Sequence, residues 1–313
     1  MGMVLSTAQA QDSGKYVEDG ANMITSETQA RRKLIESVAN GEIKPGYLLT
    51  IESDPKTIKG TKYGYITGVL YGMPATGSGL WNDCPFASCG CMIACLFTSG
   101  HGGIEKQSDR DIGDGLTVVT RARLVRSAYF HMRRDDFWAQ LIKEINALIK
   151  RAAKRGLIPA IRLNGTTDIK WEAQPVTKYG VRIASNIMEI FKDIQFYDYT
   201  KWEYSKRPNT SIPANYHLTF SRSETNGDKI AENLENGRNV AVVFGIGSWE
   251  KSVNMPSEWH GVAVIDANDS DLRFLDPVGV VCGLKFKDSK AIPAKGRKGR
   301  LAMAIDGGFV VKA

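Results

Sequence analysis

Between residues 157 and 266 the chain alternates short apolar runs with stretches of helical character, and this alternation narrows the fold more than any other feature. The runs are Leu157–Leu163, Ile194–Thr200, Tyr216–Ser221, Val240–Phe244 and Val262–Asp266. Helical stretches lie between some of them, at about 184–192 and 228–236. Short apolar runs bounded by turn residues read as buried strands, and strands alternating with helices build a parallel sheet. The expectation is an α/β fold with a parallel sheet, either open or closed as a barrel, its parallel βα units forming a partial or full barrel.

An N-terminal β-rich segment precedes these units. Tyr47–Ile51 and Tyr63–Tyr71 read as strands of a hairpin or small sheet. Before them, Ala30, Leu34, Ile35 and Val38 recur at helical spacing, so 26–40 reads as a helix ended by Gly41 and Pro45. A long helical pattern runs from Thr117 to Arg155, with Phe137, Leu141, Ile145, Leu148 and Ile149 on one stripe and Gly156 closing it. Residues 1–24 are small and polar and read as a flexible tail, leaving 25–313 as one α/β domain. The basic run from Lys285 to Arg300 reads as a solvated, flexible loop.

In α/β folds ligands lie at the carboxyl ends of the strands. Here those ends carry Asn164 and Asp168, then Thr200 and Lys201, then Arg222 and Glu224. His217, alternating within an apolar run, reads as a core histidine, and Cys282 in Val-Val-Cys-Gly-Leu as a buried, inert thiol.

A chain of 313 residues with 42% apolar content buries a full core without disulfide staples, so its five cysteines need another reason. No apolar run approaches the roughly 18–20 residues of a membrane span. Residues 1–10 show no basic start and no long apolar stretch, so no secretory signal is expected and the location expected is cytoplasmic. In that reducing compartment clustered thiols bind metal or do redox chemistry. Four of the five fall within 84–95 as C-x4-C-x-C-x3-C: Cys84, Cys89, Cys91 and Cys95. Structural zinc sites usually pair two separated knuckles. The compact set here is closer to the loops that wrap an iron–sulfur cluster. Three thiolate ligands would leave one iron of a 4Fe-4S cluster open, four would close it, and the spacing leaves Cys89 undecided.

The segment Cys84-Pro-x5-Cys91-x3-Cys95 resembles the cysteine loop of the phage gene product 88 family. Val264-Ile-Asp266-x4-Asp271-Leu-Arg273-Phe-Leu-Asp276-Pro277-x-Gly279-Val280-Val-x-Gly283-Leu284 resembles that family's carboxy-terminal block. Ile161-Arg-Leu-Asn164-Gly165-x-x-Asp168 and Phe196-Tyr-Asp-Tyr199-Thr200-Lys201 are similar to its strand-end motifs. The resemblance spans about 60–290 and implies a layout like that of radical S-adenosylmethionine barrels, and, for a phage protein, the host cytoplasm. The C-x3-C-x2-C loop and the Gly-Gly-Glu element of those enzymes are absent from this chain.

Three functions remain open at this point. One is an enzyme with an open-site 4Fe-4S cluster on Cys84, Cys89, Cys91 and Cys95 that binds S-adenosylmethionine through Asn164, Asp168, Asp198, Lys201 and Arg222. Another is a non-catalytic cluster protein for redox sensing, electron transfer or nucleic-acid binding. The third is a structural zinc domain. A formal charge of +7 permits a nucleic-acid partner without demanding one; no membrane partner is expected, and the substrate is not named by the residues.

Overall fold

The computed structural model describes residues 27–52, 55–93, 116–288 and 293–312. The first element, α1 (27–39), buries Leu34, Ile35 and Val38 and ends at Gly41, whose φ of 81° only glycine adopts freely. The chain then enters β1 (Leu49–Ile51), the short α2 (Pro55–Gly60) and β2 (Tyr65–Leu70). β1 pairs antiparallel with β2. The expected hairpin is therefore an antiparallel pair with a helix inserted between its strands.

After the short α3 (Cys89–Ile93) come two long helices, α4 (Val118–Met132) and α5 (Arg134–Lys154). The helical pattern is continuous in sequence, but Arg133 leaves helical geometry at φ −130°, ψ 56°. Its guanidinium bonds to Asp136, which fixes the break. The apolar stripe of α5 (Phe137, Leu141, Ile145, Leu148) is fully buried and lies against β1, β2 and β3. Beyond Gly156 the chain gives β3 (Ile158–Arg162), a two-stranded outlier β4 (Val176–Lys178) and β5 (Val181–Ala184), and α6 (Ile187–Ile190). Then follow β6 (Gln195–Thr200), β7 (Tyr216–Ser221), α7 (Ile230–Glu235), β8 (Val240–Gly247), β9 (Glu258–Trp259), β10 (Val262–Asp266), β11 (Val281–Phe286) and α8 (Ala294–Asp306).

Nine strands form one sheet in the order β1-β2-β3-β6-β7-β8-β11-β10-β9. Every neighbouring pair from β2 to β10 is parallel. Only β1 and β9, at the two edges, run antiparallel. Most residues of β2, β6 and β8 are buried on both faces, as a covered parallel sheet requires. The barrel expectation is corrected by the edges. Closure would need β2 to pair with β10, and each instead carries an antiparallel edge strand. The chain also visits β10 before returning as β11 between β8 and β10, so the strand order is not the sequential order of a barrel.

The basic run is a second correction. Lys285 ends in β11, and the stretch from residue 294 is helix α8, not a loop. Burial of Leu301 and Ala304 against Phe286, Phe309 and Val310 holds it. The proposed tail, 1–24, lies outside the described residues.

Candidate functional site at the carboxyl edge of the sheet

Asn164, Lys201 and Arg222 stand just beyond the carboxyl ends of β3, β6 and β7, and Asp198 lies within β6 close to that end. The cysteine loop roofs this edge. The Asp83 carbonyl accepts from the Asp168 amide at 2.7 Å, and the Cys84 thiol lies 3.6 Å from the Thr166 carbonyl. From the end of β7, Glu224 grips the other half of the loop: its carboxylate accepts from Ser88 Oγ at 2.8 Å and from the Gly90 amide at 2.6 Å. Ser88 Oγ in turn accepts from the Cys91 amide at 3.1 Å and so caps α3. Gly90 is required here, because a Cβ would stand 2.5 Å from Phe309 Cβ and 2.9 Å from the Glu224 carboxylate. Partial burial alone would raise the Glu224 carboxyl, but the hydrogen bonds from Gly90 and Ser88 bring it below the usual range.

Cys84 and Cys91 are half-buried and Cys89 is exposed, and none of the described cysteines is in a disulfide. Cys91 packs into the small cluster of Phe286, Leu301, Phe309 and Val310. Cys95 and His101 lie outside the described residues. Among the described residues no three Cys, His, Asp or Glu side chains converge to hold a metal ion.

The five polar residues expected to hold a cofactor fall into three groups. Asn164 knots its own loop: Oδ1 accepts from Thr167, from the Ile169 amide and from Trp171 Nε1, while Nδ2 donates to the Ile169 carbonyl. Its amide donates to Asp198 Oδ1 at 2.7 Å, and Asp198 Oδ2 accepts from Tyr216 at 2.8 Å. Burial pushes the Asp198 carboxyl up to about 7, although Arg162, Tyr216 and the Asn164 amide each favour its charge. Asp168 forms the second group. It accepts from the Lys201 amide at 2.7 Å and stands 3.7 Å from Arg207, and burial raises its carboxyl despite them. The Lys201 ammonium donates to Ser221 Oγ at 2.9 Å. Arg222 forms the third, donating to the carbonyls of Gly308 and Phe309. The structure thus joins Asn164 to Asp198 and Asp168 to Lys201, and ties Arg222 to the chain's last turn.

Three features of the edge escape a reading by residue type. Asp83, beside Cys84, bonds His131 Nε2 at 2.7 Å and accepts from Ser127 at 3.0 Å, with Trp81 stacked on the imidazole. The spacing of Ser127 and His131, one turn apart on α4, is a signal for that pair. Arg207 is almost fully buried and forks onto Glu172 at 2.7 and 2.6 Å. The third is Glu224 as the clamp of the loop. Of the carboxy-terminal block, Val264–Asp266 and Val281–Leu284 are strand residues of β10 and β11, and the connection between them packs on the sheet. There Asp271 pairs with Arg162, Leu272 packs on Ala160 and Tyr197, and Asp276 stands 3.5 Å from the Cys282 thiol. Burial pushes that thiol up to about 12 and His217 down to about 4, so both are uncharged near neutral pH.

The profile of the gene product 88 family matches residues 44–304, which takes in the whole sheet, the cysteine loop and nearly all of α8. The chain belongs to the phage gene product 88 family. Neither the curated proteins nor the solved structures searched gave a match. Among the described residues no helix is long and apolar enough to cross a membrane.

Proposed function

We propose that this family member carries an iron–sulfur cluster on its cysteine loop, over the carboxyl ends of β3, β6 and β7, as a non-catalytic redox centre. The observation that carries the reading is the anchoring of the loop: Asp168 and Glu224, on two different strand ends, hold residues 83–91 where α/β proteins place ligands. The donor chemistry fits. Cys84, Cys89 and Cys91 are thiols outside any disulfide, soft ligands for iron, with Cys95 the fourth of the set. A bound cluster would supply a one-electron carrier. The polypeptide supplies position, by the Glu224 clamp, and a partly apolar wall at Cys91.

The hydrogen bonding of Asn164, Asp168, Asp198, Lys201 and Arg222 within the protein favours this reading over an enzyme that binds S-adenosylmethionine through them. Protein purified without oxygen is expected to be brown, with iron and acid-labile sulfide. Cys84→Ala, Cys91→Ala and Cys95→Ala should each lose the iron, whereas Cys282→Ser retains it. Stoichiometric zinc with no iron overturns the cluster. A shift in the electron-resonance signal of reduced protein on adding S-adenosylmethionine overturns the non-catalytic role in favour of the open-site enzyme.

A further inference from the structure

Helix α8 is built against its own local preferences. Its first turn has no acidic residue, while Lys295, Arg297, Lys298 and Arg300 crowd the positive end of its dipole. The pairs 295/298 and 297/300 are like charges at i,i+3, each unfavourable by about 0.2–0.5 kcal/mol. Gly296 and Gly299 each cost roughly 1 kcal/mol relative to alanine. The helix exists because Leu301 and Ala304 are buried on the protein. That packing presents a row of cations outward. Lys295 and Lys298 are exposed, and the Arg297 guanidinium lies 5.1 Å from the centre of the Trp249 ring. Arg300 approaches the buried Asp288 at 3.4 Å, and among the described residues Lys287, Lys295, Arg297 and Lys298 have no acidic partner.

Helix α8 adjoins the cysteine loop, because Cys91 packs into the same apolar cluster as Leu301 on its inner face. Within the loop Phe86 meets Trp202, which follows β6, edge to face at 4.6 Å. The Lys170 ammonium stands 3.8 Å from the Trp202 ring centre. Lys206, also paired with Glu203 at 3.3 Å, stands 5.0 Å from that of Phe86. Rows of cations for phosphates beside aromatic rings for bases are how proteins hold single strands without reading sequence. We propose that this edge binds single-stranded nucleic acid, with the phosphates along the outer face of α8 and the bases toward Phe86 and Trp202. An anionic membrane fits less well. A membrane-surface helix turns a row of large apolar residues outward, whereas in α8 Leu301 and Ala304 face inward and Met303 is the single large apolar side chain exposed.

The inference goes beyond the cluster reading and does not depend on it, since charges and rings belong to the polypeptide. The test is anisotropy of a labelled oligodeoxythymidine titrated with full-length protein of measured iron content, at low and physiological salt. Binding should weaken steeply with salt. Lys295→Glu/Lys298→Glu should lower affinity about 10-fold or more and flatten the salt slope by about 1–2. The control is Lys62→Glu/Lys192→Glu, which makes the same charge change at two exposed sites near the amino ends of β2 and β6. At physiological salt it should change affinity less than about 2-fold, since the Debye length is about 8 Å and charges at the amino ends of the strands are screened from the opposite edge. Equal weakening by both doubles would reduce the effect to net charge and overturn the site. Absence of binding by the wild type, or binding only to vesicles rich in anionic lipid, overturns it as well. Iron-free and iron-loaded protein should bind alike, so loss of the cluster and loss of this surface are separate results.

Discussion

At the scale of single residues, Glu224 has the widest consequence. One carboxylate accepts from Ser88 and Gly90, 136 and 134 positions away in sequence, and so fixes the loop that bears the cysteines. Glu224→Ala removes two charge-assisted hydrogen bonds and is expected to cost about 1.5–3 kcal/mol. In metal-free protein it should also speed labelling of Cys91 by a thiol reagent; an unchanged labelling rate would mean that the loop is held by other contacts. Asp198 makes a different statement. Its carboxyl titrates near 7 in the fold, well above its ordinary 3.8. Between those values the folded state binds the proton more tightly than the unfolded chain. The contribution of this group is therefore fully present below about 3.8 and is lost as pH rises through 7. Asp198→Asn should remove that fall. Urea midpoints of wild type and variant at pH 5 and pH 7 check it, the variant losing less stability between the two. Sequence alone marks both acids as strand-end carboxylates, but it does not distinguish a clamp from a buried, proton-binding group, because that depends on what faces them.

At the scale of elements, periodicity located most of the fold. β7 and β10 coincide with the apolar runs read from sequence; each run is bounded by turns, and β7 is mostly buried on assembly while β10 stays partly exposed. α4 and α5 read as one helix because no glycine or proline interrupts the pattern at Arg133; the break is a backbone event held by Asp136. α8 is the opposite case: glycines and like charges read as a loop, and burial of two residues overrides them. Leu301→Ala should therefore act beyond its size. It is expected to cost about 2–3 kcal/mol and to abolish hydrogen-exchange protection of the α8 amides while β6 and β7 stay protected. Retained protection of α8 would show that the helix stands on local propensity after all.

At the scale of the whole molecule, the decisive feature is what happens at the two sides of the sheet. The β2–β10 array of parallel strands could curl into a barrel as far as its periodicity goes; the insertion of β11 between β8 and β10 and the edge strands β1 and β9, three and two residues long, keep it open. Elements so short leave almost no trace in a sequence. The sequence by itself determined the longer strands of the sheet, the α/β class, the compact set of thiols and the family, because each is written in local spacing or residue type. Tertiary structure alone decided that the sheet stays open, that a glycine-rich basic stretch becomes helix, and that Glu224 reaches back to the cysteine loop. These depend on contacts between residues far apart in the chain, and on burial, which only the assembled molecule supplies.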